Sequence, residues 1–161
     1  MSDSTRPGRT SQELRDAVRH IRYEVNQMIQ AKQLYEQSGS GDQSQRNAYL
    51  ESMLIHVRNL CEFLACAEQA RNDTAICSDF GFPAQEPLDR AEIRRIHKRL
   101  AHPSYSRDSL DEEWDLELIL KRLAKPCADF ADQVLDEKVP FHLSPEEHDT
   151  WDRLRTVLRR L

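Results

Sequence analysis

A chain of 161 residues normally makes one domain around one core, and an apolar fraction of 39% is thin but sufficient for packed helices. The formal charge of -5 argues against indiscriminate binding to duplex nucleic acid, whose affinity comes mainly from neutralising phosphates with a positive surface. No apolar run approaches the ~18 residues a membrane-spanning helix needs, so a soluble protein without a membrane partner is expected.

Four glycines and seven prolines are few for a chain rich in tight turns. Leu, Glu, Arg, Ala, Asp and Gln dominate instead, and these favour helix. The expected class is all-α, a bundle of four to five up-and-down helices. Cys61, Cys66, Cys77 and Cys127 form no C-x-x-C pair and follow no signal-like segment, which predicts reduced packing thiols in a cytoplasmic protein.

Residues 1–10 are polar, aperiodic and contain Pro and Gly, and read as a tail; residues 11–161 read as one helical domain. From Ser11 the positions Leu14, Val18, Ile21, Val25, Met28, Lys32 and Tyr35 recur at steps of three and four, which predicts a first helix ending before "SGSGDQSQ". That stretch reads as a loop by composition. A second helix then buries Leu50, Met53, Leu54, Val57, Cys61 and Leu64, while Ile55, Asn59, Glu62, Phe63 and Cys66 project to roughly the other side. Two occupied faces imply a helix central in its bundle or shared with a partner.

"NDTAICSDFGFPAQEP" has no helical period and reads as a long connection. Asp89 with Glu92 three residues on starts a third helix, with Ile93, Ile96 and Leu100 as its core stripe and Pro103 ending it near His102. A fourth helix is expected from about Asp111, burying Leu116, Ile119 or Leu120, Leu123, Cys127, Phe130 and Val134, with a kink at Pro126. "SPEE" starts the fifth: Ser144 caps, Pro145 takes the first turn and Glu147 completes the box. Its buried side is read as Trp151, Leu154, Val157, Leu158 and Leu161.

The third helix concentrates charge, with six basic residues against two acids between Asp89 and Arg107. Projected at ~100° per residue, Arg95, Arg99 and His102 fall within about 60° of one another on a face turned away from Ile93, Ile96 and Leu100. His97 lies on the flank of the apolar stripe. An Arg pair with a His is what metal-independent phosphodiester cleavage requires: guanidiniums hold the phosphate and an imidazole moves a proton. The same residues also fit a solvated helix end whose cations favour the helix dipole. His56, Arg58 and Asn59 on the second helix serve either a hydrogen-bonded network or the edge of a site. His142, Glu146, Glu147 and His148 are accounted for by helix capping, so neither a metal nor a cofactor is expected.

The stretches "HVRNLCEFL" and "IHKRLAHPSYSR", on consecutive helices of an all-α chain, resemble members of the HEPN superfamily, in particular small bacterial proteins with an H-x-R-N-L-x-x-F-L helix followed by an I-N-K-x-x-A-H segment. This chain has His97 where that group shows Asn. The resemblance implies a four- or five-helix bundle, a homodimer, and an RNA-cleaving toxin or defence effector with an antitoxin or other protein partner. Carried over, His102 is the motif histidine and Arg95 the best-spaced arginine, with Arg99 beside it and His56, Arg58, Asn59 and His97 around the groove. The alternative is a non-catalytic helical dimer or interaction module.

Overall fold

A computed structural model describes residues 8–39, 42–66, 73–101 and 114–161. Five α-helices and one 3-10 turn make up its regular structure, with no strand among the described residues. They are α1 (Ser11–Gln37), α2 (Gln43–Leu64), α3 (Arg90–Ala101), α4 (Leu116–Leu135) and α5 (Pro145–Leu158), the 3-10 turn being Cys77–Phe80. The all-α expectation holds.

Helix starts follow their caps. The Thr10 side chain accepts from the Glu13 amide while Glu13 reaches back to the Thr10 amide, so Thr10 belongs to the start of α1; residues 1–7 of the expected tail lie outside the described residues. Asp89 and Glu92 exchange the same pair of bonds at α3, and Ser144 and Glu147 at α5, with Pro145 in the first turn. Two starts differ from the sequence reading. Asp42 caps α2, which draws Gln43–Gln45 out of the expected loop and into helix. Asp115 caps α4 by accepting from the Leu118 amide, so this helix begins at Leu116 and not near Asp111. The element continues through the buried Pro126 to Leu135.

The helices pair as two antiparallel hairpins that meet where α4 packs against α1 and α2, with α3 laid on α2. Between α1 and α2, Glu24 meets His56 and Asn59 while Arg46 reaches the Ser38 carbonyl, so partner numbers fall on one helix as they rise on the other. Between α4 and α5, Arg155 bonds Asp132 and Arg159 bonds Asp129 (2.8 Å), the same inversion. The residues expected to line α1, α2 and α4 are buried. The exception is Tyr35, half-buried against the core; Lys32, the one charged residue of the stripe, is buried at 7% exposed, and its ammonium bridges Glu36 (2.8 Å) and Glu117 (2.7 Å).

Phe130 of α4 is the hub of the core. Its ring makes edge contacts with Phe63 (5.0 Å between centroids), Phe80 (5.4 Å), Phe82 (5.5 Å) and Trp151 (6.1 Å), joining α2, the long connection and α5. Phe63, on the second face of α2, is therefore buried within the bundle itself. The connection is likewise more than a loop: Ile76, Cys77, Phe80, Phe82 and Leu88 are buried. Gly81, at φ 69°, turns the chain out of the 3-10 segment in a conformation that costs glycine little. On α5, Val157 (43% exposed) and Leu161 (37%) face outward, contrary to expectation, because the buried side stops at Trp151, Leu154 and Leu158.

The cysteines also depart from the expected set of four free thiols. Cys66, just past α2, and Cys77 in the 3-10 turn form a disulfide with their Cα atoms 5.7 Å apart. Cys61 and Cys127 stay free and buried, and burial pushes both thiols up to about 12, far from nucleophilic.

Candidate functional site

The outward arc of α2 lies between α1 and α3 and carries a string of polar side chains. At its α1 border the Glu24 carboxylate accepts from His56 Nδ1 (2.7 Å) and from Asn59 Nδ2 (3.0 Å). A carboxylate only accepts, so His56 Nδ1 carries the proton of this bond. Tyr23 stands edge-on to the imidazole at 5.8 Å. The string continues through Arg58, which donates to Asn59 Oδ1 (3.2 Å) and lies 3.7 Å from Glu62 Oε1. It ends on α3, where His97 Nε2 is 4.0 Å from the same Glu62 oxygen. The residues His56, Arg58, Asn59 and His97 are thus brought into one chain of contacts, and each is at least partly covered.

Arg95 and Arg99 lie on the other flank of α3. The Arg95 guanidinium sits 4.0 Å above the Trp114 ring, a cation–π contact of the kind worth about 0.5–2 kcal/mol. Both arginines are half-buried, and the Nε atoms of both are shielded from solvent. This corrects the sequence projection: the pair flanks the core stripe, half-buried, and Arg95 packs on Trp114, instead of both standing opposite the core in open solvent. Ile96 between them is fully buried, which anchors the helix in that rotation. His102 lies outside the described residues, so its position relative to Arg95 forms no part of the geometry.

Glu24 and Trp114 were not singled out from sequence. Glu24 carried a signal, since it falls three residues after Ile21 and one before Val25, inside an apolar stripe where a carboxylate needs a partner. Trp114 precedes the α4 cap and meets Arg95 only through the tertiary fold.

Two recesses flank these elements. An open cleft of about 480 Å³ runs between the end of α2, residues 86–88 and α3, and His97 is on its wall. A larger hollow of about 730 Å³ lies at the start of α1, beside Asp16, Asp73 and Asp79, and contains none of the predicted site residues. Glu147, in the segment with His142 and His148, is occupied by Arg15 (2.7 Å), Arg19 (2.8 Å) and the α5 cap. The Arg15 guanidinium above all, with the Ser144 amide, holds its carboxyl down to about 2. Among the described residues no three metal-ligating side chains converge.

Comparison of the chain with family models, curated proteins and solved structures returns no match.

Proposed function

We propose that this protein is an HEPN-like, metal-independent endoribonuclease of the toxin or defence type. The reaction is attack of a ribose 2'-hydroxyl on the adjacent phosphorus, expelling the 5'-oxygen and leaving a 2',3'-cyclic phosphate. His102 is the proton-transfer group; Arg95 and Arg99 hold the phosphate and offset the charge that develops on its oxygens. The observation that carries this reading is the packing of Arg95 on Trp114 at 4.0 Å. Stacking restricts a long cationic side chain to one orientation, which reduces the ordering cost of gripping a phosphate. The α2 string from His56 to Glu62 supports α3 from the opposite flank and sets its rotation.

The test is cleavage of structured RNA in EDTA, with product ends analysed for cyclic phosphate. Wild type is expected to cleave, His102→Ala to fall by at least ~100-fold, and Arg95→Ala to fall similarly. Absence of cleavage by the wild type, or equal cleavage by His102→Ala, would sink the reading.

One observation favours the second reading, a non-catalytic dimer or interaction module. Tyr23 (54% exposed) and Ile55 (40%) present apolar surface on neighbouring helices beside His56. A stable dimer in light scattering, lost on Ile55→Glu and accompanied by no RNA product, selects that reading.

A further inference from the structure

The cleft between α2 and α3 has an apolar floor, made by Cys61, Ala65, Leu88 and Ile93, and two guanidiniums on its wall. Its place in the fold is fixed: the Gln85 amide donates to the Leu64 carbonyl (2.8 Å), tying the segment that forms one side to the end of α2. Leu88 is buried and Ile93 packs against the core, so the floor is preformed.

Arg90 and Arg94 stand one turn apart on α3, both exposed at the rim. Neither meets a carboxylate among the described residues, although Arg15, Arg19, Arg122, Arg153, Arg155 and Arg159 all do. Helix stability does not account for Arg90, which occupies the first residue of α3, where a cation opposes the dipole. Of the acids on the rim, Glu62 is already flanked by Arg58 (3.7 Å) and His97 (4.0 Å), which leaves Glu86 as the rim carboxylate that meets no cation among the described residues. The local balance favours an anion.

We propose that this cleft binds a small aromatic anion: a flat ring carrying a carboxylate, sulfonate or phosphate. The ring lies on the apolar floor and the acidic group pairs with Arg90 and Arg94. A volume of about 480 Å³ is in the range of small-molecule sites, which are apolar with a few placed polar groups. Guanidinium suits both halves of such a ligand, since it pairs with oxyanions and stacks on ring faces. The cleft is on the flank of α3 away from Arg95 and Arg99, so this site stands apart from the RNA reading.

The experiment is a fluorescence titration of the full chain with 1-anilinonaphthalene-8-sulfonate, an aromatic dye with one sulfonate. Saturable binding at one site is expected, weakened at least tenfold in the Arg90→Ala/Arg94→Ala double variant and also in Ala65→Phe, which fills the floor and keeps both arginines. Benzoate should displace the dye, whereas inorganic phosphate or benzyl alcohol at the same concentration should not, because each supplies half of the ligand. Circular dichroism confirms that the variants fold. Non-saturable binding, binding by the double variant within threefold of wild type, or displacement by phosphate alone would overturn the proposal. RNA cleavage is scored separately with Arg95→Ala and His102→Ala, so either idea fails without the other.

Discussion

The α4–α5 hairpin and the α2–α3 side of the molecule use arginine in opposite ways. On α5, Arg153 bonds Asp149, Arg155 bonds Asp132 and Asp152, and Arg159 bonds Asp129 and Asp132, next to an aromatic cluster that fixes the register. On α3, Arg90, Arg94, Lys98 and Arg99 meet no carboxylate among the described residues, and Arg95 rests on an aromatic face. Exposed ion pairs stabilise little, but a paired guanidinium is also unavailable to a ligand. The contrast teaches that cation count says less about a surface than which cations the fold has already committed.

The comparison breaks most visibly at the aromatic hub. Phe130→Ala removes a ring that touches four others, and a loss of about 3–5 kcal/mol is expected from lost burial and the cavity left behind. Urea unfolding measures it; a loss below about 1 kcal/mol would mean that the hub is not packed as described. Glu147 comes next, because it joins α5 to Arg15 and Arg19 of α1 and closes the cap. Glu147→Gln should cost about 1–2 kcal/mol at neutral pH, as hydrogen bonds to a charged group are lost. Its folded pKa of about 2 lies below the ordinary 4.5. The contribution is therefore complete above about 4.5 and disappears as pH falls through about 2. Thermal melts across that window should show a flatter acid limb for the variant. Ser144→Ala, which removes the capping oxygen alone, should cost about 1 kcal/mol and leave the Arg15 pair in place.

How far these features were legible from sequence depends on whether the cause was local. The α1 stripe from Leu14 to Met28 and the boxes at Asp89 and Ser144 are set by neighbours three or four residues away, so spacing reveals them. Phe80 and Phe82 were hidden, because a 3-10 turn followed by extended chain has no period to read. The Cys66–Cys77 bridge was hidden for a related reason: it joins the end of α2 to that aperiodic segment across 11 residues. For the site, His56, Arg58, Asn59, Arg95 and Arg99 could be named as polar and basic residues on two helices, but projection turned the arginine pair away from the core, where the fold half-buries it. Glu24 and Trp114, which hold them, are contributed by α1 and by the residue before the α4 cap, and their contacts arise only on packing.

The smallest expected effect sharpens the comparison furthest. If Arg90 and Arg94 served the fold as Arg155 and Arg159 serve theirs, truncating them would remove favourable pairs. With no carboxylate opposite them among the described residues, and with Arg90 opposing the α3 dipole, Arg90→Ala/Arg94→Ala should alter stability by no more than ~0.5 kcal/mol, in the direction of gain if either. The matched Arg155→Ala/Arg159→Ala variant should lose measurably more, because it leaves Asp132 and Asp152 without their arginine partners and leaves Asp129 with Lys125 alone. Paired urea titrations decide the point. Equal losses in the two double variants would place the α3 arginines among the ion pairs of the scaffold, while a neutral result on α3 alone leaves ligand binding as the role for which their charge is free.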